Sequence, residues 1–211
     1  MGKLQGGILG IMTGKVGGVV GSTWKDKNTL RSYRSSIAVN NTAKAVASKN
    51  IFAECVAKAI QINGVIGRDL WQRFEKSQSG YNALVAQFRS AYNSSNVFGP
   101  ENLILSKGKI EEAPIVSASI NAVNKDITIT WDTATSGYQL SSDIPYVVIM
   151  SVDNVMLKAF NGDDLLSRRS DGEIVIPNFQ TVGSYDKHVY LMFRRNDGTM
   201  TSTSFYAFAQ E

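Results

Sequence analysis

Apolar residues recur every three or four positions in the middle of the chain, which is the spacing of helices that bury one face. Three helices are predicted from this spacing. The first begins after a cap at Asn41 or Thr42 and ends near Gly64, with an apolar stripe of Phe52, Val56, Ala59 and Ile60. The second runs roughly over residues 65–76 and carries Ile66, Leu70, Trp71 and Phe74. The third runs over residues 81–92 with Leu84, Val85, Phe88 and Tyr92, and we expect a small helical layer with Cys55 in its core.

After the turn-rich segment NSSNVFGPEN, the apolar spacing changes from helical to alternating. In DITITWD, Ile127, Ile129 and Trp131 alternate with threonines, as in a strand with one buried face. Further strand-like segments, separated by polar turns, are PYVVIMSV, VMLKAF, GEIVIPN, HVYLMFRR and TSTSFYAFA. Strands of this length at this spacing predict an antiparallel sandwich.

Glycine dominates the start of the chain, where residues 7–25 read GILGIMTGKVGGVVGSTWK. A glycine lets another backbone approach closely, because no Cβ stands in the way. The pattern that follows predicts a hairpin, with a strand over residues 19–25, a turn over 26–28 and a returning strand over 29–35. An isolated two-stranded ribbon is marginal in water, so we expect a partner or a neighbouring subunit to complete this arm.

The last part of the chain resembles fibronectin type III domains in its strand-borne ITITW, in VYLMFRRNDGTMTSTS, which is similar to that fold's last hairpin, and in lacking a disulfide. The expected fold class is therefore α+β, with a glycine-rich β-hairpin arm, a three-helix middle segment and a C-terminal antiparallel fibronectin type III or Ig-like β-sandwich. The expected domains are the arm over residues 1–36, the helical segment over 37–98 and the sandwich over 99–211.

Charge is distributed unevenly along the 211 residues. Residues 1–50 carry eight Lys and Arg against one Asp, a net charge of +7, whereas residues 113–211 carry seven against eleven, a net charge of −4. A chain with a basic start and an acidic end can pack head to tail in a repeating assembly, or lay its arm on nucleic acid. The single cysteine, Cys55, cannot form an internal disulfide, which fits a cytosolic origin.

The glycine-rich start does not match the known phosphate loops. Lys15 follows Gly14, but Leu9 and Val16 stand where the nucleotide-binding loop needs a glycine and a hydroxyl. Glycine at every fourth position from Gly6 to Gly18 is the spacing of packed membrane helices, yet Lys15 interrupts a short apolar run. We therefore expect a packing device, with no nucleotide cofactor and no membrane partner.

Catalytic and metal-binding arrangements are also not expected. His188 is the one histidine and Cys55 the one cysteine, so the usual zinc and Cys–His arrangements look unavailable to this chain. The acidic residues Asp163, Asp164, Asp171 and Glu173 lack the spacing of a dedicated calcium loop. The sequence predicts no enzyme activity, no metal and no cofactor.

The arm also has features of a nucleic-acid contact. Basic and aromatic residues interleave there, as they do in proteins that bind single strands. They are Lys15, Trp24, Lys25, Lys27, Arg31, Tyr33 and Arg34.

The whole chain resembles a protein family of Bacteroidales and of their tailed phages, including crAss-like phages. The resemblance is carried by the arm pattern G-K-x-G-x-V-V-G-S-x-W-K over residues 14–25 and continues through NNTAKAVASKNIF, SGYNALVAQF and NLILSKGKIEEAPIVSAS. It implies a glycine-rich arm, a helical segment and a fibronectin-like sandwich. In a virion, such an arm would serve subunit packing.

Our hypothesis from the sequence is a non-enzymatic structural protein of a tailed-phage virion, made in the host cytoplasm. It would be a neck or tail component, one member of a homo-oligomeric ring that also contacts other virion proteins. Its predicted subunit interface comprises Gly14, Lys15, Gly17, Gly18, Val19, Gly21, Trp24, Lys25, Arg31, Tyr33 and Arg34. The alternatives are a host-encoded Bacteroidales binding module that uses its sandwich, and a protein whose basic arm contacts nucleic acid.

Overall fold

A computed structural model describes residues 3–5, 10–24, 27–36, 39–71, 79–113, 115–121, 123, 126–153, 157–177 and 187–209 of the chain. The chain divides into two compact units, Met1–Val46 and Ala47–Glu211. The domain boundaries expected near residues 36 and 98 stay predictions. No helix among the described residues is both long and apolar enough to cross a lipid bilayer.

The first unit contains a four-stranded antiparallel sheet in which each strand pairs with the next along the chain. Its strands are β1 (Lys3–Gln5), β2 (Ile11–Val16), β3 (Val19–Trp24) and β4 (Lys27–Ser32). A two-residue turn at Gly17 and Gly18 joins β2 to β3, with Val16 opposite Val19. Gly17 has a φ of +56°, which the first position of such a hairpin turn requires and which other residues rarely adopt.

The arm is therefore wider than the sequence predicts. A hairpin of β3 and β4 forms, but its returning strand is Lys27–Ser32 and not residues 29–35, with Trp24 opposite Lys27. The preceding glycine-rich residues add a third strand beside it. The alternation of β2 is broken at Gly14, whose φ of +86° lies inside the strand. Because a glycine in this conformation interrupts the period of two, the sequence pattern does not identify β2 as a strand.

The helical segment begins where the sequence predicts, but its second element differs from the predicted second helix. Helix α1 (Ala43–Ile62) has Thr42 as its cap, whose hydroxyl accepts the backbone N–H of Ala45 at 3.4 Å. At Ile62 the chain does not stop but continues as a π-helix over Asn63–Trp71. Gly64 does not end the helix, so the predicted second helix is not a separate element, and its residues 72–76 lie outside the described residues. Helix α2 (Gly80–Ser90) corresponds to the predicted third helix.

The second unit also contains two antiparallel sheets, ordered β11-β10-β7-β8 and β5-β6-β9. Their strands are β5 (Ile115–Asn121), β6 (Asp126–Trp131), β7 (Ile144–Ser151), β8 (Leu157–Asn161), β9 (Glu173–Ile176), β10 (Lys187–Arg194) and β11 (Phe205–Ala209). Each strand-like segment of the sequence thus contributes a strand, and β10 pairs with β11, which begins at Phe205, just after the segment VYLMFRRNDGTMTSTS.

The four-stranded sheet of the second unit buries both of its faces. Val147 and Val189 pack in one apolar cluster with Ile129 and Ile174 of the three-stranded sheet. Val148 and Tyr190 point the other way, into a cluster with the buried residues of α1, the π-helix and α2. Every residue of β7 is buried for this reason.

Hydrogen bonds join the helical layer to the rest of this unit, and two of them come from aromatic side chains. The indole N–H of Trp71 donates to the carbonyl of Leu105 at 2.7 Å. The hydroxyl of Tyr146 on β7 donates to the carboxylate of Asp69 on the π-helix at 3.2 Å. The helices are therefore held to the sheet by directed bonds as well as by apolar contact.

The expected fold class is wrong. The described residues contain two α-helices and three sheets, so the molecule is mostly β-sheet and lacks the expected three-helix middle segment. In the expected sandwich the outer face of each sheet would meet solvent, whereas helices cover one of these faces here. The apolar run of β7 fits both arrangements, because a strand that is covered on both sides loses its alternation.

The predicted stripe of the first helix is displaced as well. Phe52 and Ile60 are more than half exposed, and the buried residues of α1 are Ile51, Cys55, Lys58, Ala59 and Ile62. The helix carries apolar residues on more than one face, so spacing alone does not choose the face that packs on the sheet. Cys55 is fully buried, as predicted.

Candidate functional site

The N-terminal sheet has no apolar core of its own in the part that the structure describes. Gly21 is the one buried residue among those of the first unit whose burial is described. All six residues of β4 are exposed. A sheet of this size usually gains stability from burying an apolar face, and the described residues of this sheet bury no apolar side chain.

One side of the sheet is apolar, and we call it the apolar face. Register places Val16 opposite Val19 and Gly21 opposite Leu30, with their side chains on the same side of the sheet. Val16 is 46% exposed, Val19 40% and Leu30 67%. Exposed apolar side chains that are adjacent across strands form a small apolar patch, which makes this face a candidate contact surface.

Gly21 lies where the backbone of β2 crosses close to β3 on this face. A Cβ at position 21 would stand 2.1 Å from the carbonyl oxygen of Met12. A carbonyl oxygen of the main chain cannot move aside as a side chain does, so this position requires glycine. The close approach predicted for the arm is thus made by the chain's own backbone.

The opposite side of the sheet is basic, and we call it the cationic face. Register places Lys15 opposite Val20 and Val20 opposite Arg31, and Lys27 lies on the same side. Ser22 and Thr29 share this side, with their hydroxyl oxygens 2.7 Å apart. The three basic residues are exposed.

A groove of about 490 Å³ lies at the end of β4, beside Arg31 of the cationic face. It is lined by Val20, Arg31, Ser32, Tyr33 and Arg34. The backbone N–H of Tyr33 donates to the carbonyl of Gly18 at 2.7 Å, which holds the end of β4 against the glycine turn. The ammonium of Lys15 lies 3.4 Å from the centroid of the Tyr33 ring, a cation–π contact that adds a third cation beside the groove.

The structure brings most of the predicted interface residues into this one sheet but divides them between its faces. Val19 and Gly21 belong to the apolar face, whereas Lys15, Arg31, Tyr33 and Arg34 belong to the cationic face or its groove. Gly17 and Gly18 form the turn, and Gly14 lies in β2. Trp24 ends β3, but its side chain lies outside the described residues, as does the whole of Lys25.

Several residues of these surfaces are absent from the predicted interface, among them Val20, which lines the groove. Val16 and Leu30 complete the apolar face, and Ser32 lines the groove. The signal was present in the pairing of residues 19–24 with 27–32, because strict alternation from Val19 places Leu30 and Val19 on one side. The missing information was the register, which depends on where the turn lies.

A partly buried polar cluster of the second unit lies between α1 and the end of α2. Lys58 is buried and packs against the Phe98 ring at 3.9 Å, and its ammonium donates to the Tyr92 hydroxyl at 3.4 Å. That hydroxyl donates to the carboxylate of Glu54 at 2.6 Å. Burial lowers the pKa of Lys58 and raises that of Tyr92. The cluster satisfies its own polar atoms and serves to join the two helices.

The acidic residues near position 170 are engaged in local structure. Asp163 pairs with Arg168 at 2.8 Å, and Asp171 accepts the backbone N–H of Arg168 at 2.7 Å. Among the described residues, no three His, Cys, Asp or Glu side chains are grouped as metal ligands would be. His188 is partly buried and hydrogen-bonds Tyr206 at 2.9 Å, and burial lowers its pKa.

Comparison of the chain with known proteins gives a family match and a weak structural likeness. No curated protein matches the chain. The crystal structure of the chitinase ChiW from Paenibacillus sp. str. FPU-7, a cell-surface-expressed multi-modular enzyme, aligns at 11% identity and a TM-score of 0.34. The alignment covers 49% of this chain and 8% of the chitinase, and a likeness this weak carries no argument about fold or activity. A family described as "Family of unknown function (DUF6266)" matches residues 11–207, and the chain belongs to this family.

Proposed function

We propose that the protein is a non-enzymatic structural component of a tailed-phage virion, a neck or tail subunit that assembles through its N-terminal sheet. The proposal commits to a second copy of the same chain as the molecule that covers the apolar face. Further virion proteins would bind the assembled ring.

The exposed N-terminal sheet is the observation that carries the proposal. Four paired strands present Val16, Val19 and Leu30 to solvent, and the described part of this unit buries no apolar side chain. Burying an aliphatic side chain contributes about 1.5 to 3 kcal/mol, so covering this face would supply the stability that the single chain lacks. A subunit interface is the usual way to cover such a face.

Charge favours a second copy as the covering molecule. The first unit, Met1–Val46, carries seven Lys and Arg against one Asp, a net charge of +6. The second unit carries fifteen basic residues against seventeen acidic ones, a net charge of −2. The two units thus carry net charges of opposite sign, which favours head-to-tail contacts between copies, of the kind that close into rings.

The resemblance of the arm pattern to proteins of Bacteroidales and their tailed phages supports the virion as the place of assembly. The pattern covers residues 14–25, of which 14–24 form the end of β2, the glycine turn and the whole of β3. Residues of this kind at an assembly element would serve packing and not catalysis, because glycine contributes close approach and no chemical group.

Light scattering across a range of protein concentrations tests the proposal. We expect the full chain to form a defined oligomer and the Leu30→Asp variant to remain monomeric, because a carboxylate would be buried without a partner at the interface. The expected loss in association is at least about a hundredfold, the equivalent of roughly 2.7 kcal/mol.

Thr29→Asp is the matched control. It lies in the same strand, makes the same change in charge and points to the opposite face. The control should keep the oligomer of the unchanged chain. An oligomer that survives Leu30→Asp would contradict the assignment of the apolar face as the subunit interface. An equal loss of the oligomer in both variants would contradict it as well.

A further inference from the structure

We propose that the cationic face of the N-terminal sheet binds the phosphate backbone of nucleic acid, in the groove between Arg31, Tyr33 and Arg34. This site is separate from the apolar face and would give an assembling subunit a second, sequence-independent contact.

The basic residues of this face are concentrated on one side by strand register. Lys15, Lys27 and Arg31 share the side, and Arg34 lines the groove beside Arg31. Residues 1–46 contain a single acidic residue, Asp26. Because no carboxylate of the described residues in this unit neutralises the face, its cations are available to an anionic partner.

The shape and composition of the groove match a nucleic-acid strand. Guanidinium groups bind phosphate oxygens through pairs of parallel hydrogen bonds, and two of them, Arg31 and Arg34, border the groove. Val20 and Tyr33 supply an apolar and an aromatic lining, and Tyr33 is 45% exposed. A basic groove with an aromatic side chain is the arrangement that tracks the backbone of single strands.

An acidic protein surface fits this face less well. Protein interfaces are depleted in lysine, because burying an ammonium costs more than burying a guanidinium, whereas phosphate contacts use lysine freely. Lys15 and Lys27 both lie on this face, and both are exposed. The composition of this face therefore favours nucleic acid over an acidic protein surface as its occupant, whereas the second copy covers the apolar face.

Fluorescence anisotropy with a labelled single strand of nucleic acid tests the proposal. A strand of roughly 30 nucleotides is long enough for more than one site of about 4 to 16 nucleotides. We expect the full chain to bind with an affinity that falls steeply as salt is raised. Arg31→Glu combined with Arg34→Glu should lower the affinity at least about tenfold and reduce the salt slope by about 1.4, which is two contacts at about 0.7 each.

Lys109→Glu combined with Lys107→Glu is the matched control, since it makes the same charge change at exposed residues of the second unit. The control variant should keep the affinity of the unchanged chain for the labelled strand and the same dependence of that affinity on salt. Equal losses in both double variants, or absence of binding at low salt, would overturn the proposal.

Light scattering separates this proposal from the proposed assembly. The Arg31→Glu, Arg34→Glu variant should keep the oligomer of the unchanged chain while losing nucleic acid. If it loses the oligomer and the full chain binds no strand, the groove is a contact with an acidic protein surface, and the nucleic-acid assignment is wrong. Even in that case, loss of the oligomer in Leu30→Asp would still support assembly through the apolar face.

Discussion

Gly21 shows how a single residue sets the geometry of the N-terminal sheet. Among the residues of that sheet whose burial is described, it is the buried one, and the carbonyl of Met12 occupies the place of its missing Cβ. Gly18, three residues earlier, has open space where a Cβ would be built. From the sequence the two glycines look alike, because nothing in GKVGGVVG distinguishes a glycine needed for close approach from one that only turns the chain.

We predict that Gly21→Ala weakens the sheet and that Gly18→Ala does not. The clash at position 21 should cost about 1 to 3 kcal/mol, as overpacking does in other interiors. The change at position 18 should lie within about 0.5 kcal/mol, as surface substitutions usually do. Hydrogen exchange of the backbone amides in β3 and β4 measures the loss of stability in each of the two variants. Equal protection in the two variants would show that the backbones of β2 and β3 do not approach as described.

At the scale of elements, the helices and the larger sheet form one packed body. Phe88 of α2 is fully buried in the same apolar cluster as Tyr146 and Val148 of β7. Phe52 of α1, which the apolar spacing places in the core, is 56% exposed. The spacing finds the helix but not the side that packs, since that choice depends on which residues the sheet presents.

Phe88→Ala should lower the free energy of unfolding by about 3 to 5 kcal/mol, because it leaves a cavity between α2 and the sheet. Native-state hydrogen exchange should then show α2 and β7 losing protection together. Phe52→Ala makes the same chemical change on an exposed site and should cost less than about 1 kcal/mol. A loss of protection in α2 alone would mean that the helices unfold separately from the sheet.

Several elements could be predicted from the sequence, and the reasons for success and failure are physical. Strand β6 is recognisable because one of its faces is buried and its apolar residues alternate with polar ones. The strands of the last hairpin are recognisable because turn residues lie between them. Strand β7 gave no sign of its two covering layers, because a strand buried on both sides is apolar throughout. Strand β2 was missed because Gly14 breaks its period.

The candidate site was predictable in residue type but not in arrangement. The arm was singled out by its glycines and cations, and these do lie in one sheet. The separation into an apolar and a cationic face depends on the register between β2, β3 and β4. A shift of one residue would exchange the two faces, and short exposed strands rich in glycine specify register weakly.

At the scale of the whole molecule, a well-packed unit and an uncovered one occur in the same chain. Ala47–Glu211 contains two apolar clusters, whereas the described part of Met1–Val46 contains none. Such an imbalance is expected of a subunit whose first unit reaches its final stability only on assembly, since the covering surface then contributes the missing burial.

Hydrogen exchange of the backbone amides in β3 and β4, measured as the full chain is diluted from its oligomer to its monomer, tests this central claim most directly. The account predicts that these amides are strongly protected in the oligomer and exchange freely in the monomer, while those of β7 remain protected in both. A monomer in which the amides of β3 and β4 keep their protection would contradict it, because the sheet would then be stable without a partner.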